Sequence, residues 1–179
     1  MSTQRGVILY GPPAAGKDTV TKELLALTGR YKHYRRMKIG GGRVDGYRHI
    51  SRDELIDLRN RGKVVWENER YNATYVVEYE SLVELAANSL PVLHLGQVDA
   101  IAATRAATPE IAWVQIYLWC PRDVALQRIR DRGTGDLAAR LRAWDATPPL
   151  WQAALSVNTA EIAADKAARM IHARTCGRA

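Results

Sequence analysis

Short apolar runs alternate with segments of helical periodicity along most of this chain. The first run, residues 7–10, lies between two glycines and is followed at 17–27 by apolar residues at helical spacing. Two further runs, 91–95 and 112–120, are each followed by another segment with helical features. Continuous apolar runs of this kind are typical of parallel strands that are buried on both faces. The pattern predicts an α/β fold in which helices cover both faces of a parallel sheet.

Shorter patterns complete the predicted secondary structure. Further strands are expected at 64–66, 74–77 and 155–157, and further helices at 78–88, 98–108, 121–132 and 136–144. The predicted inner face of the first helix consists of Val20, Leu24, Leu25 and Leu27. Ser51 and Glu54 have the spacing of a capping box and predict a helix that ends near residue 61. Asn158 and Glu161 have similar spacing and predict the start of the last helix.

The segment 31–46 departs from this pattern. It is rich in Lys and Arg, contains three consecutive glycines at 40–42 and has few aliphatic residues. A segment of this composition cannot bury much apolar surface. We therefore expect it to be mobile, or to become ordered when a ligand binds.

The charge balance favours anionic ligands. The 179 residues include 26 Lys and Arg against 19 Asp and Glu, a net charge of +7. Nucleic acid is not the expected partner, because no helix-turn-helix, zinc or aromatic-stacking signature accompanies the charge. No apolar stretch approaches the roughly 18 residues that a membrane span needs. Cys120 and Cys176 lack metal-ligand spacing, so we expect a cytoplasmic protein without a disulfide framework.

Residues 11–17 carry the most specific motif. The sequence Gly11-Pro12-Pro13-Ala14-Ala15-Gly16-Lys17 matches G-x-x-x-x-G-K and stands between the first predicted strand and the first predicted helix. The glycines allow backbone N–H groups to surround phosphate oxygens, and the helix N-terminus adds a positive dipole end. Lys17 supplies a positive charge for the β- and γ-phosphates. This phosphate loop is predicted to bind ATP, with Lys17 as a catalytic residue.

The residue after the lysine departs from the usual motif. A Ser or Thr hydroxyl normally holds Mg²⁺ there, but here Asp18 follows Lys17 and Thr19 comes next. Asp18 is predicted either to approach the metal, directly or through water, or only to cap the helix. Thr19 is the expected hydroxyl neighbour of the phosphates. Both residues belong to the predicted ATP site, and the metal ligand is left open between them.

With the phosphate loop assigned, the middle of the chain resembles the guanylate kinase family. The stretch from Tyr47 through Ser51 to Leu55 resembles the family's D-Y-x-F-V-S-x-x-E-F, and Arg35 and Lys38 fall on the arginines of its T-T-R-x-x-R-x-G. Tyr75 falls on the tyrosine that follows the family's glycine-containing turn. The lid motif R-G-T…R is matched by Arg132-Gly133-Thr134 with Arg140, and the V-N near the adenine by Val157-Asn158.

This resemblance implies an ATP- and Mg²⁺-dependent kinase acting on a small phosphorylated acceptor. The implied acceptor-binding residues are Arg35, Lys38, Tyr47, Ser51, Glu67 and Tyr75. The lid arginines expected to stabilise the transferred phosphoryl group are Arg128, Arg132 and Arg140, and Asn158 is expected near the adenine. We expect one domain, 1–179, that acts as a monomer or homodimer. Its expected parts are a core of 1–30, 80–127 and 146–179, an acceptor-binding lobe of 31–79 and a lid of 128–145.

The positions that read guanine depart from the family. Without gaps, Trp66 stands where the family has Glu and Val77 where it has Ser, although Glu67 is adjacent. Residues 94–97 replace an acidic pair. Because Trp and Val cannot accept hydrogen bonds from guanine, a nucleoside monophosphate other than GMP is the expected acceptor. The Gly-Lys-Asp sequence also resembles ribose 1,5-bisphosphate kinases, a first alternative, and a non-catalytic guanylate kinase-like binding module is a second.

Overall fold

The computed structural model describes residues 4–42, 44–133 and 135–177. Thr134, part of the predicted lid motif, lies outside the described residues. The strands are β1 (Gln4–Tyr10), β2 (Tyr31–His33), β3 (Arg36–Gly40), β4 (Tyr47–His49), β5 (Val64–Arg70), β6 (Ala73–Glu78), β7 (Leu90–Leu95), β8 (Ile111–Trp119) and β9 (Leu155–Asn158). The helices are α1 (Lys17–Leu27), α2 (Arg52–Asn60), α3 (Tyr79–Asn88), α4 (Val98–Ala107), α5 (Arg122–Arg132), α6 (Leu137–Asp145) and α7 (Ala164–Cys176).

The larger sheet confirms the predicted α/β architecture. Its strands follow the order β2-β7-β1-β8-β9, and every neighbouring pair is parallel. One face packs on α1 and α7 through residues such as Leu24 and Ile171, and the other packs on α3 and α4 through Leu82 and Ile101. Because both faces are covered, the central strand β1 is fully buried from Val7 to Tyr10.

A smaller sheet of four strands follows the order β4-β3-β6-β5. Strand β3 runs parallel to β4 and antiparallel to β6, which in turn pairs antiparallel with β5. One face of this sheet packs on α2, where Met37, Leu55 and Val76 form a small core. The predicted capping box is confirmed, since the Ser51 hydroxyl accepts from the Glu54 N–H and the Glu54 carboxylate accepts from the Ser51 N–H. The other face points away from α2, and its Val77 and Trp66 pack with the core of the larger sheet.

The expectation of a mobile segment at 31–46 is wrong for most of its length. Strand β2 extends the larger sheet beside β7, and β3 lies inside the smaller one. Tyr31, Met37 and Lys38 are all buried. Few aliphatic residues suffice here, because an aromatic ring and a methionine fill the inward positions and the backbone is satisfied by strand pairing.

Two helix predictions also need correction. In α1, Leu25 and Leu27 are 38% and 41% exposed, and Thr21 instead shares the buried face with Val20 and Leu24. The last helix begins at Ala164 rather than beside Asn158, whose side chain accepts from the Ala160 N–H in the preceding turn. An Asx-type turn uses the same polar residue that suggested a helix cap.

Both cysteines, Cys120 and Cys176, are free thiols. None of the helices in the described part of the chain has the length and apolar character needed to cross a membrane. The division into core, lobe and lid remains a prediction, although β2 belongs to the larger sheet and the smaller sheet begins at Arg36.

Candidate active site

The phosphate loop joins β1 to α1 at the carboxyl edge of the parallel sheet. Its glycines adopt conformations that side chains oppose, with φ of +155° at Gly11 and +84° at Gly16. A Cβ on Gly11 would collide with the Leu118 carbonyl group, so glycine is required there. Ala14 also has a positive φ of 62°. The loop therefore has the tight, inward-turned backbone of a phosphate cradle.

Lys17 lies across this loop. Its Nζ donates to the carbonyl oxygens of Gly11 and Pro12 at 2.7 and 2.8 Å. Burial lowers the pKa of Lys17 to about 8, with the positive charges of Arg36, Arg132 and Arg70 acting in the same direction and the Asp18 carboxylate opposing them. Three arginines from separate parts of the chain thus lie close enough to act on the loop lysine.

Asp18 is partly exposed and contacts the buried His94, which in turn contacts the buried Thr21, in a network that the sequence did not indicate. The Asp18 carboxylate lies 3.5 Å from Nδ1 of His94, whose Nε2 is 2.6 Å from the Thr21 hydroxyl. The His94 ring also packs against His33, with 4.5 Å between ring centroids. Burial, together with His33 and nearby cations, holds the pKa of His94 well below its usual range. His94 is therefore a neutral group that contacts the Asp18 carboxylate.

The residues present fit a magnesium ion that is held mainly by nucleotide phosphates. Mg²⁺ is often bound through one or two carboxylates with substrate phosphates and water. Among the described residues there is no cluster of three or more candidate metal ligands, and the partly exposed Asp18 carboxylate is adjacent to the phosphate loop. Thr19 is exposed.

The face of the smaller sheet that points away from α2 carries a cluster of two cations and two phenols. Arg36 and Lys38 alternate along β3, and their cross-strand neighbours are Tyr47 and Tyr75. The Lys38 Nζ is 5.4 and 5.8 Å from the two ring centroids, and the Arg36 guanidinium is 5.9 and 5.2 Å from them. We call Arg36, Lys38, Tyr47 and Tyr75 the cation–tyrosine cluster.

The cluster contains Arg36 rather than Arg35. Because side chains alternate along a strand, Arg36 shares a face with Lys38, whereas Met37 packs in the core beneath α2. Arg36 lines a cavity of about 20 Å³ that also includes Asp18 and His94. Arg35 is exposed, donates to the Tyr47 carbonyl at 2.7 Å and lines a different cavity of about 550 Å³. Arg35 is thus separated from the phosphate-loop side.

Two other predicted acceptor residues lie away from the cluster. Glu67 faces α2, where both of its carboxylate oxygens accept from Arg59 at 2.9 and 3.1 Å. The Ser51 hydroxyl caps α2. The strand residues that face the cluster from β5 are instead Asn68, whose Cα partner is Tyr75, and Arg70.

The lid arginines occupy three different environments. Arg128 is fixed behind the phosphate loop, where it donates to the Ala14 carbonyl at 3.1 Å and to the Thr159 carbonyl at 2.8 Å. Arg132 is exposed near Lys17. Arg140 pairs with Asp136 at 2.6 Å, and its guanidinium lies 4.8 Å from the Tyr71 ring centroid. Arg140 therefore links α6 to the hairpin of the smaller sheet.

Comparison with known proteins supports this arrangement at the level of the fold. No protein-family model and no curated protein matches the sequence. The crystal structure of guanylate kinase from Anaplasma phagocytophilum is similar to this chain with a TM-score of 0.61 and 16% identity, over 95% of this chain and 83% of that one. The chain has a guanylate kinase-like P-loop fold. The crystal structure of APE1195 is also similar, with a TM-score of 0.57 and 16% identity over 97% and 95% of the two chains.

Within this guanylate kinase-like fold, three polar atoms of the β5–β6 region are buried without a hydrogen-bond partner among the described residues. They are Oδ1 of Asn68, Nε1 of Trp66 and the hydroxyl of Tyr71. Trp66 and Asn68 lie on the same face of β5 as the cation–tyrosine cluster, since Asn68 pairs with Tyr75 and Trp66 with Val77. A buried polar atom left unpaired costs free energy, which makes these atoms candidates for contact with a ligand.

Proposed function

We propose that this protein is an ATP-dependent phosphotransferase that transfers the γ-phosphoryl group to a small phosphorylated acceptor, a nucleoside monophosphate. The observation that carries the proposal is the proximity of the phosphate loop to the cation–tyrosine cluster. Arg36 and Tyr47 of the cluster line the same cavity as Asp18, the residue that follows Lys17. Two adjacent anion sites are what a reaction between two phosphorylated substrates requires.

The donor side would be held by the backbone and by Lys17. The loop N–H groups and the N-terminus of α1 bind the β- and γ-phosphates, and Lys17 exchanges its hydrogen bonds with the Gly11 and Pro12 carbonyls for bonds to phosphate oxygens. A bound anion raises the pKa of Lys17 above its value of about 8, which keeps the ammonium charged near neutral pH. Asp18 would hold Mg²⁺, which supplies charge neutralisation between the phosphates.

The acceptor side would be held by its phosphate. Arg36 and Lys38 supply charge, and the phenols of Tyr47 and Tyr75 donate hydrogen bonds to a dianion. An acceptor phosphate oxygen then attacks the γ-phosphorus in line with the departing ADP. Arg132 and Arg140 would stabilise the charge that spreads over the transferred group.

The acceptor's base is proposed not to be guanine. Glu67 pairs with Arg59 on the α2 side of the sheet, so the nearest carboxylate in sequence is engaged elsewhere. Because the Glu67 carboxylate is engaged by Arg59, a second candidate is an acceptor that has no base to recognise, such as ribose 1,5-bisphosphate. A binding module without activity is not favoured, because the phosphate-loop lysine serves phosphoryl transfer, which such a module does not carry out.

A screen of acceptors tests the proposal. Purified protein with ATP and Mg²⁺ is offered nucleoside monophosphates, sugar phosphates and ribose 1,5-bisphosphate, and ADP formation is measured. We expect acceptor-dependent turnover that Lys17→Ala abolishes and that the exposed Lys22→Ala on the same helix retains. Near-normal turnover in folded Lys17→Ala protein, or no turnover of wild type with any acceptor, rejects the kinase function.

A further inference from the structure

Arg70 ends β5 on the face that carries the cation–tyrosine cluster, yet its guanidinium reaches the larger sheet. A Cβ built on Gly96, which follows β7, would lie 3.5 Å from Nη1 of Arg70 and 3.9 Å from the carbonyl oxygen of Gly11. Gly11 is the first residue of the phosphate loop, and its carbonyl accepts from Lys17. Arg70 thus projects from the smaller sheet to the edge of the nucleotide site.

The backbone around Arg70 is held in an unusual conformation. The β5–β6 turn consists of Tyr71 and Asn72, with φ of 54° and 55°. Two central residues with positive φ form the turn that matches the twist of a hairpin, but Tyr is seldom found in that region. Above the turn, the guanidinium of Arg140 lies over the Tyr71 ring. Strained backbone of this kind is retained where it fixes a functional side chain.

The Arg70 guanidinium has no acidic partner among the described residues. No hydrogen bond or ion pair joins its guanidinium to another residue within 4–42, 44–133 and 135–177, although the side chain is partly buried. Its charge is also one of those that lower the pKa of Lys17, beside Arg36 and Arg132. The Asp18 carboxylate offsets part of the repulsion among these positive charges, and an anion bound among them would offset more of it.

We propose that Arg70 is a further catalytic residue, which contacts the transferred phosphoryl group from the acceptor side of the site. This inference rests on the proposed phosphotransferase function. During transfer, the bond from the acceptor phosphate oxygen to the γ-phosphorus forms while the bond to the β,γ-bridging oxygen breaks, and ADP leaves with the electron pair. Arg70 donates hydrogen bonds to the equatorial oxygens of the migrating group and transfers no proton.

This position couples acceptor binding to catalysis. Arg70 lies two residues from Asn68, which pairs with Tyr75 of the cation–tyrosine cluster. An acceptor bound at the cluster therefore lies on the same face of the sheet as Arg70. The arginine then completes the charge around the γ-phosphate when both substrates are present.

The test compares Arg70→Gln and Arg70→Lys with Arg130→Gln, which removes an exposed arginine from α5. Removing one donor aimed at transition-state charge is expected to lower kcat about 100- to 1000-fold, with the KM for ATP changed by less than about threefold. Arg70→Lys keeps the charge but loses the planar fork, so we expect an intermediate loss of about tenfold. Arg130→Gln is expected to match wild type.

A binding measurement accompanies the kinetics. With the best acceptor present in both samples, calorimetry compares ADP–Mg²⁺ with ADP–Mg²⁺ plus aluminium fluoride, a mimic of the transferred group. Wild type is expected to bind ADP–Mg²⁺ more tightly with aluminium fluoride than without it. Arg70→Gln is expected to lose this gain in affinity while its affinity for ADP–Mg²⁺ alone stays unchanged.

Three results overturn the inference. They are a kcat within about threefold of wild type in folded Arg70→Gln, an unchanged gain with aluminium fluoride, or a rise in acceptor KM with kcat unchanged. If Arg70→Gln does not fold, full kcat in Arg70→Lys overturns it instead. Wild-type protein that transfers phosphate to no acceptor rejects the proposed function and this inference together, whereas an active wild type with an unaffected variant rejects the inference alone.

Discussion

Arg35 lies just before β3 and Arg36 is its first residue. Replacing each of them in turn by methionine distinguishes their roles in acceptor binding. The family resemblance assigns Arg35 to the acceptor phosphate, whereas the alternation of β3 puts Arg36 on the face with Lys38. Methionine keeps much of the aliphatic length and removes the charge. We expect Arg36→Met to weaken acceptor binding strongly and Arg35→Met to leave it nearly unchanged.

The magnitude follows from the position of Arg36. At a separation of about 4 Å and an effective dielectric constant of about 20, one pair of unit charges is worth about 4 kcal/mol before desolvation. Because Arg36 is partly exposed, water in the Arg36→Met variant can solvate the acceptor phosphate and offset part of the lost attraction. The expected net loss is that of a charge-assisted hydrogen bond, about 1.5–3 kcal/mol. This corresponds to an increase of about 10- to 150-fold in the KM for the acceptor.

Steady-state kinetics with the best acceptor at saturating ATP measure this effect. The KM for ATP serves as an internal control, and thermal unfolding checks that each variant folds. The reasoning from strand alternation fails if Arg35→Met raises the acceptor KM as much as Arg36→Met does, or if Arg36→Met has no effect in folded protein.

Three further predictions concern the donor site and α2. The Lys17 ammonium is charged below its pKa of about 8, so kcat/KM for ATP should fall as pH rises through about 8, and a flat profile from about pH 7 to about pH 9 contradicts this. Asp18→Asn should raise the Mg²⁺ concentration for half-maximal activity about tenfold, whereas Thr19→Val should not; equal effects reject Asp18 as the ligand. Ser51→Ala should cost about 1 kcal/mol of unfolding free energy by removing the cap, with the acceptor KM unchanged.

The strands β1, β7 and β8 of the main sheet were predictable because each is a largely apolar run, whereas the short strand β2 carries Lys32 and His33 and was not predicted. The phosphate loop was also recognisable, since its glycines and lysine stand in one short stretch between a strand and a helix. Basic and apolar residues alternate along 36–40, which is typical of a strand, but the basic composition of the segment obscured this pattern. Had that segment been interpreted as a strand, Arg36 and Lys38 would have been placed on one face.

Other parts of the site had no local signal. His94 reaches Asp18 only because β7 pairs beside β1 in the parallel sheet. Arg70 approaches the phosphate loop because the smaller sheet folds back toward Gly96. Both contacts join residues that are far apart in sequence, and neither His94 nor Arg70 belongs to a motif.

The base of the acceptor is the last feature that the structure makes testable. Glu67 lies beside the family's guanine-reading position in sequence, but its carboxylate accepts two hydrogen bonds from Arg59 of α2. One polar atom of β5 on the side of the cation–tyrosine cluster is Oδ1 of Asn68, which is buried and, like Nε1 of Trp66, has no hydrogen-bond partner within the described residues. An amide offers both a donor and an acceptor, and it carries no charge that selects guanine.

We therefore expect kcat/KM for GMP to lie about a thousandfold below that of the best acceptor. Glu67→Gln should leave this ranking unchanged, because it removes only a partly exposed ion pair on the opposite face of the sheet. Asn68→Ala should lower kcat/KM for the best acceptor about tenfold or more, because the base loses its partner while the phosphate contacts persist. If GMP instead reaches about 10⁵ M⁻¹s⁻¹ and Glu67→Gln abolishes that activity, the carboxylate must turn to the site when substrate binds, and the protein phosphorylates GMP.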